Sequence, residues 1–236
     1  MGAAASLQAE LTKPLDASDL DGRASVAEVS RLRTLLQNEP NEPPPPAENI
    51  PTVTFSSEIL RKSASSGNFT KAKSHVAAAK LADKDKDKLN EVNEDLETAL
   101  HLAAAGGHAA IAQLLIDAGA SLDLKDDYGF SALRHCAGAS KANMKPGHLE
   151  CAKLLCAAKA DCNVVCDYGW TPLMKACEMG HTSLCEIFLN DSNVELNKLE
   201  NGGESALDKA EGKEHVELIA MLKEKGATSG SSGGEE

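Results

Sequence analysis

Aromatic residues are scarce, seven in 236, or 3%. So few rings argue against the core of a β-sandwich or barrel. No run of 18 apolar residues occurs, so no helix is expected to span a membrane. Bases are also short, with 24 Lys and Arg against 36 Asp and Glu and a net charge of -12. Phosphate contacts need clustered cations, which argues against a nucleic-acid binder. No basic region followed by an apolar stretch opens the chain, so no secretory leader is expected. No GxSxG, P-loop or HExxH occurs and no nucleophile–base pair stands out, so neither catalysis nor a cofactor is expected. Seven cysteines make an odd number in a chain large enough to form a core. Reduced thiols in a cytoplasmic protein are the natural expectation.

What is present divides into segments. Apolar residues reach 42%, enough for a folded core. Residues 1–55 read as a flexible N-terminal arm holding eight acids and four bases. Its stretch 40–51 reads PNEPPPPAENIP. Consecutive prolines fix φ and join neither helix nor sheet, which predicts a polyproline-II linker. Residues 56–93 hold eight bases and five acids, and the alternating run Asp83 to Lys88 belongs on a solvated loop or helix end. The stretch 228–236 is Gly- and Ser-rich and reads as a disordered tail.

The strongest signal is internal repetition. Four segments align: ETALHLAAAGGH from Glu97, FSALRHCAG from Phe130, WTPLMKACEMGH from Trp170 and ESALDKAEGKEH from Glu204. The landmarks Leu100, Leu133, Leu173 and Leu207 are 33, 40 and 34 residues apart. The long interval carries an insertion near ASKANMK, after which Gly147-His148 restores the phase. His108, His148, His181 and His215 follow the first landmarks. Apolar pairs come next, at Leu114-Leu115, Leu154-Leu155, Ile187-Phe188 and Met221-Leu222. Small residues from Leu100 to Ala105 allow close helix approach, and Ile111, Leu114 and Leu115 form an amphipathic face. Thr98, Ser131, Thr171 and Ser205 are placed as N-caps. Gly119 is placed to end a helix in the left-handed conformation.

Residues 94–227 thereby resemble the ankyrin repeat family. Thr171-Pro172-Leu173 and Thr98-Ala99-Leu100-His101 keep its pattern best. Ala99, Ala132 and Ala206 replace its proline, Leu96 stands at a turn glycine and Lys159 at a helix-ending glycine. A fifth, degenerate unit over 56–93 is expected as a cap, with Leu60, Ala64, Gly67-Asn68 and Phe69 at the matching places. The resemblance implies an all-α ankyrin-repeat α-solenoid, in which helix pairs are joined by short β-hairpin loops. It also implies a non-catalytic adaptor or scaffold that binds a partner protein through adjacent hairpins and the concave face.

The family's variable contact positions fall on Asp127, Tyr128 and Phe130 in one unit and on Asp167, Tyr168 and Trp170 in the next. Stacking is expected to bring the two aromatic pairs together with Met179 nearby, forming a protein-binding ridge whose acids favour a basic partner. The competing reading packs Phe130 and Trp170 onto neighbouring hairpins, where they stiffen the stack. His101, His108, His148, His181 and His215 are implied to be scaffold residues bonded to loop backbone. A metal site from Cys162, Cys166, Cys136 and His135 is disfavoured, because the spacing is no CxxC pair and Cys often serves as a core hydrophobe.

The arm holds two weaker signals. Met-Gly-Ala-Ala-Ala-Ser fits N-myristoylation at Gly2. A single acyl chain gives only weak, reversible membrane contact, so the alternative reading is a reversibly membrane-associated regulator that localises its partner. Residues 17–28 resemble an EF-hand loop through Asp19, Asp21, Gly22 and Glu28. Ala17 takes the place of the first ligand, which argues against calcium. A capped amphipathic helix over 25–37 is the simpler reading. The chain is expected to be cytoplasmic and monomeric.

Overall fold

The computed structural model describes residues 54–81 and 86–230. Gly2, the 25–37 helix, the proline stretch and the EF-hand-like loop lie outside the described residues. The described helices belong to one compact unit, Thr52–Glu236.

Ten α-helices and one 3-10 turn form, and no strand occurs among the described residues. The helices come in consecutive pairs. The first pair is α1 (Ser57–Ser66) and α2 (Phe69–Leu81), followed by the 3-10 turn Lys86–Asn90. Next come α3 (Ala99–Gly106) with α4 (Ala109–Asp117), and α5 (Ala132–Gly138) with α6 (Pro146–Ala157). The last pairs are α7 (Pro172–Met179) with α8 (Thr182–Leu189), and α9 (Ala206–Glu211) with α10 (Val216–Glu224). First helices pack on first helices and second on second, which makes the expected α-solenoid.

The side chains explain the layering. Ala64, Ala103, Ala104, Ala137, Ala176 and Ala210 are fully buried along the first helices, so these backbones approach closely. The second helices bury larger groups, among them Ile111, Leu115, Leu155, Leu184, Phe188, Leu218 and Leu222. Each helix is short enough to be marginal alone, and burial against its neighbours supplies the stability.

Caps fix where the first helices start. Thr98, Thr171 and Ser205 each accept the backbone N–H three residues on. Ser131 occupies the same place, but its hydroxyl has no partner. The scaffold histidines tie one pair to another. His101 Nε2 lies 2.9 Å from Leu124 O and 3.1 Å from Phe130 O. His108 reaches Ser65 O, His148 reaches Ala105 O, His181 reaches Ala139 O and His215 reaches Glu178 O.

The loops between pairs are tighter than β-hairpins. In residues 93–97, 126–130, 166–170 and 200–204 the first N–H bonds the last carbonyl, and the fourth N–H bonds the first carbonyl. Five residues closed on themselves leave no room for a strand ladder. Successive tips are chained, since Asp127 N–H bonds Asp95 O, Asp167 N–H bonds Tyr128 O and Asn201 N–H bonds Tyr168 O.

One glycine and one stretch of the tail stand apart. Gly147 does not end a helix as Gly107 and Gly180 do, because it is the second residue of α6. Pro146 starts α6 at its first position and draws Gly147 into the helix. A Cβ on Gly147 would stand 1.9 Å from Gly107 O, so only glycine allows this approach. Residues 228–230 also depart from the flexible-tail reading. Thr228 N–H bonds Asn197 Oδ1, and the Gly230 N–H and Ser229 hydroxyl bond Asp208. Composition alone cannot foresee a carboxylate waiting at Asp208.

Candidate functional site: a groove beside the hairpins

The hairpin tips that precede the third, fourth and fifth pairs, with the first helices of the third and fourth, enclose an open groove of about 360 Å³. Phe130, Tyr168 and Trp170 line it, with Arg134, Cys166, Lys175, Glu178, Glu200 and Asn201. Three of the four expected ridge aromatics therefore meet. Tyr128 does not line the groove but stacks on Phe130, with ring centroids 5.7 Å apart. Met179 is also outside the lining, where Lys175 and Glu178 stand instead. Those two are three apart on α7 and share a face. Asp127 and Asp167 are exposed at the tips.

The rings divide by exposure. Tyr128 and Tyr168 are 56% and 64% exposed. Phe130 and Trp170 are half-buried, and cations cover them. The Arg134 guanidinium carbon lies 4.3 Å from the Phe130 ring centre. Lys209 Nζ lies 4.2 Å and Lys175 Nζ 5.8 Å from the Trp170 ring centre. Such contacts contribute about 0.5–2 kcal/mol each, more as water is excluded.

The cations differ in their counterions. Lys175 pairs with Glu178 at 2.6 Å. Lys209 pairs with Glu200 at 3.6 Å and also with Glu204. Arg134 has no carboxylate at ion-pair distance among the described residues, and its Nε is buried without a hydrogen-bond partner. Burial pulls the Arg134 pKa down, and the charges of Glu178 and Asp126 partly oppose this.

Behind the groove, Asp126 bonds His135 at 2.8 Å and accepts the N–H groups of Tyr128 and Phe130. Burial raises the Asp126 pKa, but these hydrogen bonds win and hold it below the usual carboxylate value. Asp126 precedes His135 by nine residues, as Glu200 precedes Lys209. That acid–base spacing was readable in the sequence, although neither pair was anticipated. Glu97, Asp126 and His135 place ligand atoms within 4.8 Å of one another, the one such group among the described residues. The Asp126 carboxylate is already spent on hydrogen bonds, which accounts for the cluster without an ion.

The cysteines do not gather around His135. Cys156 and Cys162 sulfurs lie 3.8 Å apart, and those of Cys177 and Cys185 3.6 Å. Cys136 neighbours Cys151. Six of the seven are buried and all are free thiols. They act as small core residues.

Stacked helix pairs with an open groove on the first-helix side define a helical-repeat module rather than a globule around one enclosed pocket. A family model for ankyrin repeats (3 copies) matches residues 60–165 and again 139–231. The chain belongs to the ankyrin repeat family, whose repeats are generally protein–protein interaction modules and generally non-catalytic. It is 31% identical over 126 residues to the "Probable 26S proteasome regulatory subunit p28" of Saccharomyces cerevisiae, covering 53% of this chain and 52% of that one. It is 34% identical over 85 residues to the human "SH3 and multiple ankyrin repeat domains protein 1", covering 36% of this chain and 4% of that one. It is 27% identical over 167 residues to the Escherichia coli K12 ankyrin repeat protein YahD, covering 65% and 80%. The chain thus spans about half the length of the yeast relative and a small part of the human one.

Proposed function

We propose that the chain is a non-catalytic adaptor that holds a partner protein across the hairpins of its third to fifth helix pairs. The observation that carries this is the groove lined by Phe130, Tyr168 and Trp170, with Tyr168 64% exposed at its edge. A half-buried, cation-covered ring is a rigid platform, and an exposed tyrosine beside it gives contact area at low entropic cost. Asp127 and Asp167 stand at the rim, where they favour basic residues flanking the bound segment. The tips are chained by backbone hydrogen bonds, so little ordering is needed on binding.

The test is affinity capture from a lysate of the source cells with wild type and with Tyr168→Ala/Trp170→Ala. Far-ultraviolet circular dichroism first establishes that both are folded. A partner retained by wild type and lost by the variant is expected. Equal capture by both moves the binding site away from the groove.

A further inference from the structure

Arg134 is out of place as a structural residue. A cation withdrawn from water is costly unless paired. Its neighbours along the same face are paired, Lys175 with Glu178 and Lys209 with Glu200. Arg134 has the Phe130 ring but no carboxylate at ion-pair distance among the described residues, and its Nε–H is buried and unmatched. It stands on a groove wall, within reach of whatever fills that groove.

We propose that Arg134 is the specificity-determining residue of the groove and receives an Asp or Glu side chain from an extended segment of the partner protein. The proposal rests on the groove being the partner site. A guanidinium matches a carboxylate with two parallel N–H···O bonds, and the pair gains strength where water is excluded. Shape and charge narrow the occupant further. Glu178, Glu200 and Glu204 already pair with the lysines, so Arg134 is the cation of this face that has no carboxylate at ion-pair distance among the described residues. A phosphate, with nearly two charges, would meet those acids uncompensated. Asp127 and Asp167 at the exposed tips repel further acids. The matching segment therefore carries a single acidic residue with neutral or basic neighbours. A groove that crosses three successive hairpins suits a chain passing through it.

The probe is a peptide library displayed with fused C-termini, so that no free terminal carboxylate competes, selected on the full chain. Binders with Asp or Glu at one fixed place are expected. In a chosen, C-terminally amidated peptide, changing that acid to its amide should weaken binding to wild type at least about tenfold. The same change should cost less than about twofold against Arg134→Gln, and Arg134→Lys should fall between. Since the acid is altered in the peptide, a folding defect in Arg134→Gln cannot imitate the wild-type result. Binders weakened by Trp170→Ala but indifferent to the acid overturn the carboxylate proposal and leave the groove standing. Binders that neither Trp170→Ala nor Arg134→Gln weakens, or a selection that yields none, overturn both. Tighter binding when phosphoserine replaces the acid also overturns it, in favour of a phosphate.

Discussion

Lys159 holds a conformation that its relatives in the fold give to glycine. Its φ is 69°, against 84° at Gly119 and 88° at Gly226. The turn is the same in all three places. Lys159 N–H bonds Cys156 O at 3.0 Å and Ala160 N–H bonds Leu155 O at 3.0 Å. Gly119 with Ala120, and Gly226 with Ala227, repeat that pattern. A side chain in the left-handed region costs about 1–2 kcal/mol. Glycine removes that cost but frees the unfolded chain by about 0.4–1 kcal/mol. The Lys159 side chain is exposed and enters no ion pair among the described residues, so nothing else is lost. Lys159→Gly should therefore stabilise by roughly 0.5–1 kcal/mol and raise Tm by about 1–4 °C. Thermal melts followed by circular dichroism read it. The reverse change, Gly119→Ala, should lower Tm by a similar amount. Nothing lies within 4 Å of a Cβ there, so the loss would be backbone strain alone. A lower Tm for Lys159→Gly, or no change for Gly119→Ala, would refute the argument.

Stability should decline in acid in two stages. Burial lowers the pKa of His101 and His181 from the ordinary 6.5, so folding favours their neutral forms. Their contribution is full above the unfolded value and is lost as pH falls below it. Asp208 is next. Burial raises its pKa, but bonds from Ser229, Ser205 and Gly230 outweigh this and take it below the ordinary 3.8, so its contribution disappears as pH falls beneath that value. Melts at a series of pH values check both stages, and a Tm that does not fall between pH about 7 and 5 contradicts the first. Gly147→Ala should destabilise by about 1–3 kcal/mol, because its Cβ would meet Gly107 O, and chemical denaturation reads the change. At the far end of the chain, Gly2→Ala should abolish incorporation of an alkyne-labelled myristate during translation in a eukaryotic lysate. Absence of label in the wild type would remove the acylation reading.

The repeat phase was legible because it is written in small and capping residues whose roles are local. Thr98, Thr171 and Ser205 cap their helices within three residues of themselves. Each scaffold histidine recurs at one place in its unit, so its long-range bond follows once the units stack. The substitution at Lys159 was legible too, since the turn geometry survives the loss of glycine. What escaped was the balance of charge where one unit meets the next. Arg134 comes from α5, but the groove it lines is completed by α7 and by two further hairpins. Its lack of a counterion is a property of that meeting and has no trace in its own segment. The cysteine pairs escaped for a different reason. Cys136 meets Cys151, and Cys177 meets Cys185, across two helices of one unit, and sequence spacing does not foretell that contact.

The aromatic residues show why the choice between packing and binding was posed too coarsely. Phe130 and Trp170 sit half-buried beneath Arg134, Lys175 and Lys209, and those contacts hold three long side chains against one face. Packing describes these two rings. Tyr168 lines the same groove while more than half exposed, and no cation covers it among the described residues. A stack stiffened by aromatics alone would have no use for that exposure, nor for a guanidinium left without its acid. Removing Trp170 should disturb both the platform and the binding, whereas Tyr168→Ala should leave Tm unchanged and weaken partner binding alone. Equal losses of Tm in the two variants would show that Tyr168 is another packing residue, and the groove would lose its exposed contact.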